Sequence, residues 1–207
     1  MVSAYRLGTW AAGAVAAIGL AYIAALVAGF VQVGFDAPIG DPVLAIMEIL
    51  TLFSALAVLI SMASVHHHAD PERKIFGMLA LILTAVFAGI TSTVHFVQLT
   101  AFRQMGVAGI AWPSATYAAE LLAWDWFLGI GLIFAVPVFP GCGAERVLRL
   151  AFLLTGALAL AGTVGPVIGH MRLQRIGILG YAGALPVTFF LLARFFRSQR
   201  LQGADYR

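Results

Sequence analysis

The sequence predicts an all-α fold, a six-helix transmembrane bundle with both termini cytoplasmic, and three observations carry that prediction. Of the 207 residues, 62% are hydrophobic and 10% are charged, against about 25% charged in a soluble domain. Six apolar segments reach the roughly 20 residues that a helix needs to cross a ~30 Å hydrocarbon layer. The basic residues gather on one set of connections.

The first span is Leu7–Val33. Its apolar run is too long for a signal peptide and no small-residue cleavage site follows it, so it is expected to stay in place. Pro38, Gly40 and Pro42 separate it from the second span, Pro42–Val65. Asp70-Pro71-Glu72 then breaks the chain and offers an acidic first turn to the third span, Ile75–Ala101. The longest connection, Phe102–Thr116, leads to the fourth span, Tyr117–Phe139, which Pro140-Gly-Cys-Gly143 punctuates. The fifth span is Val147–Gly169 and the sixth Ile176–Phe196. No stretch fits a soluble domain, so residues 1–207 read as one transmembrane domain. The hairpins share no repeat, which argues against an inverted-repeat transporter. The 22 glycines suit helices that approach closely in lipid.

Positive charge sets the orientation. With the N-terminus inside, the inner side holds Arg6, Arg73, Lys74, Arg146, Arg149, Arg194, Arg197, Arg200 and Arg207, and the outer side only Arg103, Arg172 and Arg175. Trp112, Tyr117, Trp124 and Trp126 then crowd the outer interface, as belt residues do. The expected location is a bacterial inner membrane. The net charge of +3 resides largely at helix ends, a topogenic pattern, and no nucleic-acid partner is expected.

Ionisable side chains inside spans are costly and mark cavities, proton paths or helix ties. His95 lies about two turns below the outer surface. Thr84, Ala88, Thr91, His95 and Gln98 follow spacings of three and four, one helix face that should point into the bundle. Glu48, with Thr51 beside it, enters at similar depth from the second span, Asp125 between Trp124 and Trp126 from the fourth, and Tyr181 from the sixth. Glu120 is expected higher, near the headgroups, and His170 with Arg172 closes the outer end of the fifth span after Pro166. The inner half offers only Ser54, Ser61 and Ser64, so a transporter or channel ranks last.

Three readings of this group fit. A histidine and a carboxylate could pair and pin two helices. They could line an outward-opening pocket for a small amphipathic or lipid-like ligand, with Glu48, His95 and Asp125 supplying acid-base turnover and Thr91, Gln98, Glu120, Trp124, His170 and Tyr181 binding. They could hold zinc, iron or haem, although no HxxxH or HExxH pattern lies in any span. No metal ligand is assigned, and any cofactor is left open.

Other motifs read as structural. His66-His67-His68-Ala69-Asp70 lies in the inner connection and reads as a solvated helix end. Cys142 is the sole cysteine, which excludes an intrachain disulfide. Pro137, Pro166 and Pro186 each interrupt a span and mark bends. Arg194, Arg197 and Arg200 are placed to snorkel to anionic inner-leaflet lipid.

His95-Phe-Val-Gln-Leu-Thr100, Tyr117-Ala-Ala-Glu-Leu-Leu and Phe134-Ala-Val-Pro-Val-Phe139 resemble a group of uncharacterised bacterial six-helix membrane proteins, over about residues 62–197. That resemblance implies the fold and no activity. In the group an aromatic residue often stands where this chain has His95, which implies that the histidine departs from the pattern. A rhodopsin is excluded because the only lysine, Lys74, sits at a loop edge. A zinc-dependent membrane ceramidase would need more histidines at depth. The preferred expectation is ligand binding in the outer half. Its rival is an accessory subunit of a membrane complex, with partner subunits or a homo-oligomer and surrounding lipids as its contacts.

Overall fold

A computed structural model describes residues 4–34, 37, 39–107 and 112–202. All regular structure among them is helical, in six helices long and apolar enough to cross a membrane. They are α1 (Ala4–Val33), α2 (Val43–His68), α3 (Pro71–Phe102), α4 (Ala115–Val138), α5 (Ala144–Val167) and α6 (Met171–Gln202). Each packs antiparallel on its neighbours in sequence, and α1 closes the ring against α6. The start of α1 and the end of α6 therefore lie at one end of the bundle, here the terminal end; the other is the distal end.

The predicted spans survive with shifted ends. The second runs on to His68, so His66-His67-His68 forms the last helical turn of α2 rather than a connection. Lys74 caps that turn, its Nζ donating to the carbonyls of His66 and His67 at 2.9 and 3.0 Å, as cations do at helix C-termini. His67 is exposed, as expected of a solvated helix end, whereas His68 is half-buried. It takes a hydrogen bond from or gives one to the Tyr5 hydroxyl at 3.2 Å and packs among Phe139, Phe195 and Phe196. The α4 start is set by Ser114, whose hydroxyl accepts from the Tyr117 N–H at 3.1 Å. Pro38 and Arg207 lie outside the described residues.

Close approach explains two glycines. A Cβ at Gly19 would strike the Pro186 ring, and one at Gly8 would sit 2.6 Å from the Phe196 ring. These positions let α1 lie tight on α6, as small residues do between closely packed helices.

The interior is divided. Phe139, Phe152, Phe189, Phe195 and Phe196 interlock through the middle and terminal half, with the Phe139 and Phe152 rings stacked 5.5 Å apart. Ser61 and Ser64 are buried there, each bonded to a backbone carbonyl. The buried carboxyl, imidazole and amide side chains of α2, α3, α4 and α6 collect at the distal half. Outward faces are apolar, as with Val31, Phe53, Phe96, Val167 and Leu179.

Candidate functional site

His95 is the hub. Its Nδ1 is hydrogen-bonded to Glu48 Oε2, and its Nε2 faces Glu120 Oε1 at 2.7 Å. Three consecutive helices thus meet through one imidazole. Glu120 Oε1 also accepts from the Trp124 indole N–H, one turn along α4, and Glu120 Oε2 accepts from the Thr91 hydroxyl at 3.4 Å. Glu48 and His95 are 5% and 8% exposed. One proton must lie between each ring nitrogen and its carboxylate oxygen. Two shared protons leave this trio with one net negative charge, whether the histidine or a carboxyl holds the second.

A second cluster lies beside the first. Asp125 is fully buried, and its Oδ2 accepts from Gln174 Nε2 at 3.5 Å. Gln174 also donates to the Tyr181 hydroxyl at 2.8 Å. Asp125 Oδ1 has no hydrogen-bond partner. The carboxyl is lodged where α5 and α6 cross at Gly162 and Gly177; a Cβ at Gly162 would lie 2.9 Å from it.

Aromatic side chains join the clusters. The Trp124 ring packs edge-on against Phe87 and lies 5.2 Å from the Tyr181 ring. Tyr22 of α1 is within electrostatic range of Glu48, Glu120 and Tyr117, and Tyr117 of Asp125 and Glu120.

Three π-helical turns, Gln98–Phe102, Leu122–Leu128 and Leu179–Ala184, surround this region. Their placement has a geometric consequence on α4. Glu120 and Asp125 are five residues apart, about 140° around a regular helix at 3.6 residues per turn. A π turn closes i→i+5 bonds and takes more residues per turn, which narrows that angle. Both carboxyls can then face inward.

The expected residues fare differently. Glu48, His95, Thr91 and Trp124 meet as a group. Glu120, expected near the headgroups, is instead bonded directly to His95, with the Trp124 indole N–H donating to the same oxygen. Asp125, expected beside Glu48 and His95, bonds to Gln174 instead and shares that cluster with Tyr181. Gln98 is buried with its Oε1 unpartnered. His170 is exposed at the distal end and makes no side-chain hydrogen bond to either cluster among the described residues. Tyr22, Tyr117 and Gln174 were not expected. Tyr22 is the lone hydroxyl between Trp10 and Gln32 of an otherwise apolar span, a signal readable in the sequence.

On the outer surface between α2 and α3, a groove of about 360 Å³ is lined by Leu52, Ser92, Thr93, Phe96 and Val97. Leu52 is one turn from Glu48, and Phe96 adjoins His95. No protein-family model, no curated protein and no solved structure matches the chain.

Proposed function

We propose that this is a multi-pass protein of a bacterial inner membrane, a member of the six-helix group that it resembles, with both termini cytoplasmic. Its distal-half polar centre binds a small amphipathic or lipid-like ligand from the outer leaflet. The observation that carries this reading is the placement of Glu48, His95 and Glu120 in direct contact, deep in an apolar bundle, where ionisable groups are too costly to be kept without use or partner. The trio is built to hold and pass protons, so acid-base turnover of the bound ligand falls to Glu48, His95 and Glu120. Asp125 acts from the adjoining cluster. The α2–α3 groove suits the ligand's tail, with its Ser92 and Thr93 beside an apolar wall. The phenylalanine plug of the terminal half speaks against a through-path.

A second reading has its own support. Both ring nitrogens of His95 are already paired, as in an accessory subunit whose polar groups only fix helix packing. One set of measurements separates the two. His95→Leu and Glu48→Gln are compared with the parent for stability in detergent and for retained small molecule, metal content and absorption spectrum. The ligand reading expects a molecule in the parent that both variants lose. A parent that is empty, with variants equally stable, refutes it.

A further inference from the structure

Resting on the ligand reading, a charge count narrows the chemistry of the ligand. The distal interior holds three carboxyl groups, Glu48, Glu120 and Asp125, against one imidazole. The trio keeps one negative charge however its two protons are shared, and none of the ion pairs among the described residues includes Asp125. Arg172 and Arg175 are exposed at the distal rim, and Arg103 is paired with Asp41. The interior also has two buried acceptors without a donor, Asp125 Oδ1 and Gln98 Oε1, in side chains 0% and 3% exposed. An unpaired acceptor is costly and a net charge more so. Such a centre lacks a group that is positive and rich in N–H donors.

We infer that the distal centre recognises an organic ammonium, an amphipathic amine whose tail lies in the outer leaflet. An ammonium brings one positive charge and three donors, which answers both the excess of carboxyl charge and the shortage of donors in this interior. The rings of Trp124, Tyr181 and Phe87 beside the carboxyls are aromatic groups of the kind that attract organic cations. A neutral alcohol leaves the charge in place, and a carboxylate adds to it.

Without the amine, a proton must neutralise the excess carboxyl. Binding is therefore an exchange. The N–H···O bonds form as one carboxyl O–H bond breaks, the proton leaves to bulk water, and the charge inside the bundle is unchanged. The groups facing this exchange are Tyr22 on α1, Glu48 on α2, His95 on α3, Tyr117, Glu120 and Asp125 on α4, and Gln174 with Tyr181 on α6. α5 presents Gly162 there.

The test uses the full chain in lipid nanodiscs with octylamine, 1-octanol and octanoate at equal concentrations. Octylamine is expected to raise the melting temperature, to release about one proton per molecule bound, and to bind about tenfold tighter per pH unit between pH 5 and 7. Octanol and octanoate are expected to do none of these. Asp125→Asn should weaken octylamine about tenfold to a hundredfold; should that variant not fold, the comparison of three probes on the unaltered protein decides alone. Octanol or octanoate acting as strongly as octylamine, with the effect lost in His95→Leu, overturns the ammonium and leaves the ligand site standing. No response to octylamine at any pH overturns the inference, and an unrelated co-purified molecule would then still support the site.

Discussion

The Trp124 and Tyr181 rings lie 5.2 Å apart, tilted at 52°, and hold together two polar clusters that share no hydrogen bond among the described residues. Trp124 donates to Glu120 on one side, and Tyr181 accepts from Gln174 on the other. The pair keeps the two carboxyls of α4, Glu120 and Asp125, in separate clusters while the contact between those clusters stays aromatic.

His95→Leu should destabilise the protein by about 3 kcal/mol or more, because it leaves two buried carboxyls without their shared partner. The triple variant Glu48→Leu, His95→Leu, Glu120→Leu should regain most of that loss, since removing all the buried polar groups together costs little. Reversible unfolding in mixed micelles measures both. A triple variant no more stable than His95→Leu would contradict the assignment.

Gly177→Ala should cost about 1–3 kcal/mol through overpacking, since its Cβ would strike Asp125 Oδ1. In an Asp125→Ala background the same change should cost much less. Gly162→Ala should stay costly there, because its Cβ also meets the Gly177 Cα at 2.8 Å. A double-mutant cycle reads the coupling directly; no coupling between Gly177 and Asp125 would place Asp125 elsewhere.

Thr155 and Thr188 bond to each other at 2.8 Å across α5 and α6, and each also reaches the Ala151 carbonyl. Thr188→Val should cost only about 0.6 kcal/mol, the average for such bonds between membrane helices. Unfolding measurements that show a loss of several kcal/mol would mean that the pair organises more than one contact.

The helix count and the location of the spans were legible because length and hydropathy decide them locally. The ends were less so: His66-His67-His68 reads as a helix end, but the cap that Lys74 supplies to its carbonyls and the burial of His68 among aromatic rings depend on packing. Depth could be counted along each helix, which found Glu48 and His95. Azimuth could not. The π turn at Leu122–Leu128 moves Glu120 and Asp125 to related faces, an effect with no periodic signature. Gln174 was missed because it precedes the apolar run of the sixth span, although α6 already begins at Met171. Tyr117 was read as a belt aromatic; its ring does pack edge-on against Trp112, yet it also lies within electrostatic range of Asp125 and Glu120.

Lys74→Met should remove both capping bonds to α2 and lower stability by about 0.3–1 kcal/mol. Hydrogen exchange should quicken at Ala69, whose N–H bonds to the Val65 carbonyl at 3.1 Å in that last turn. Unchanged exchange there would show that the aromatic packing around His68 holds the turn by itself.

Native mass spectrometry of the protein released from bilayer nanodiscs probes the proposed site most directly. The unaltered chain should carry a small molecule of defined mass that is absent from Glu120→Gln and His95→Leu prepared in parallel. An unaltered chain that flies bare, or one whose adduct persists in both variants, would contradict binding at the Glu48–His95–Glu120 centre.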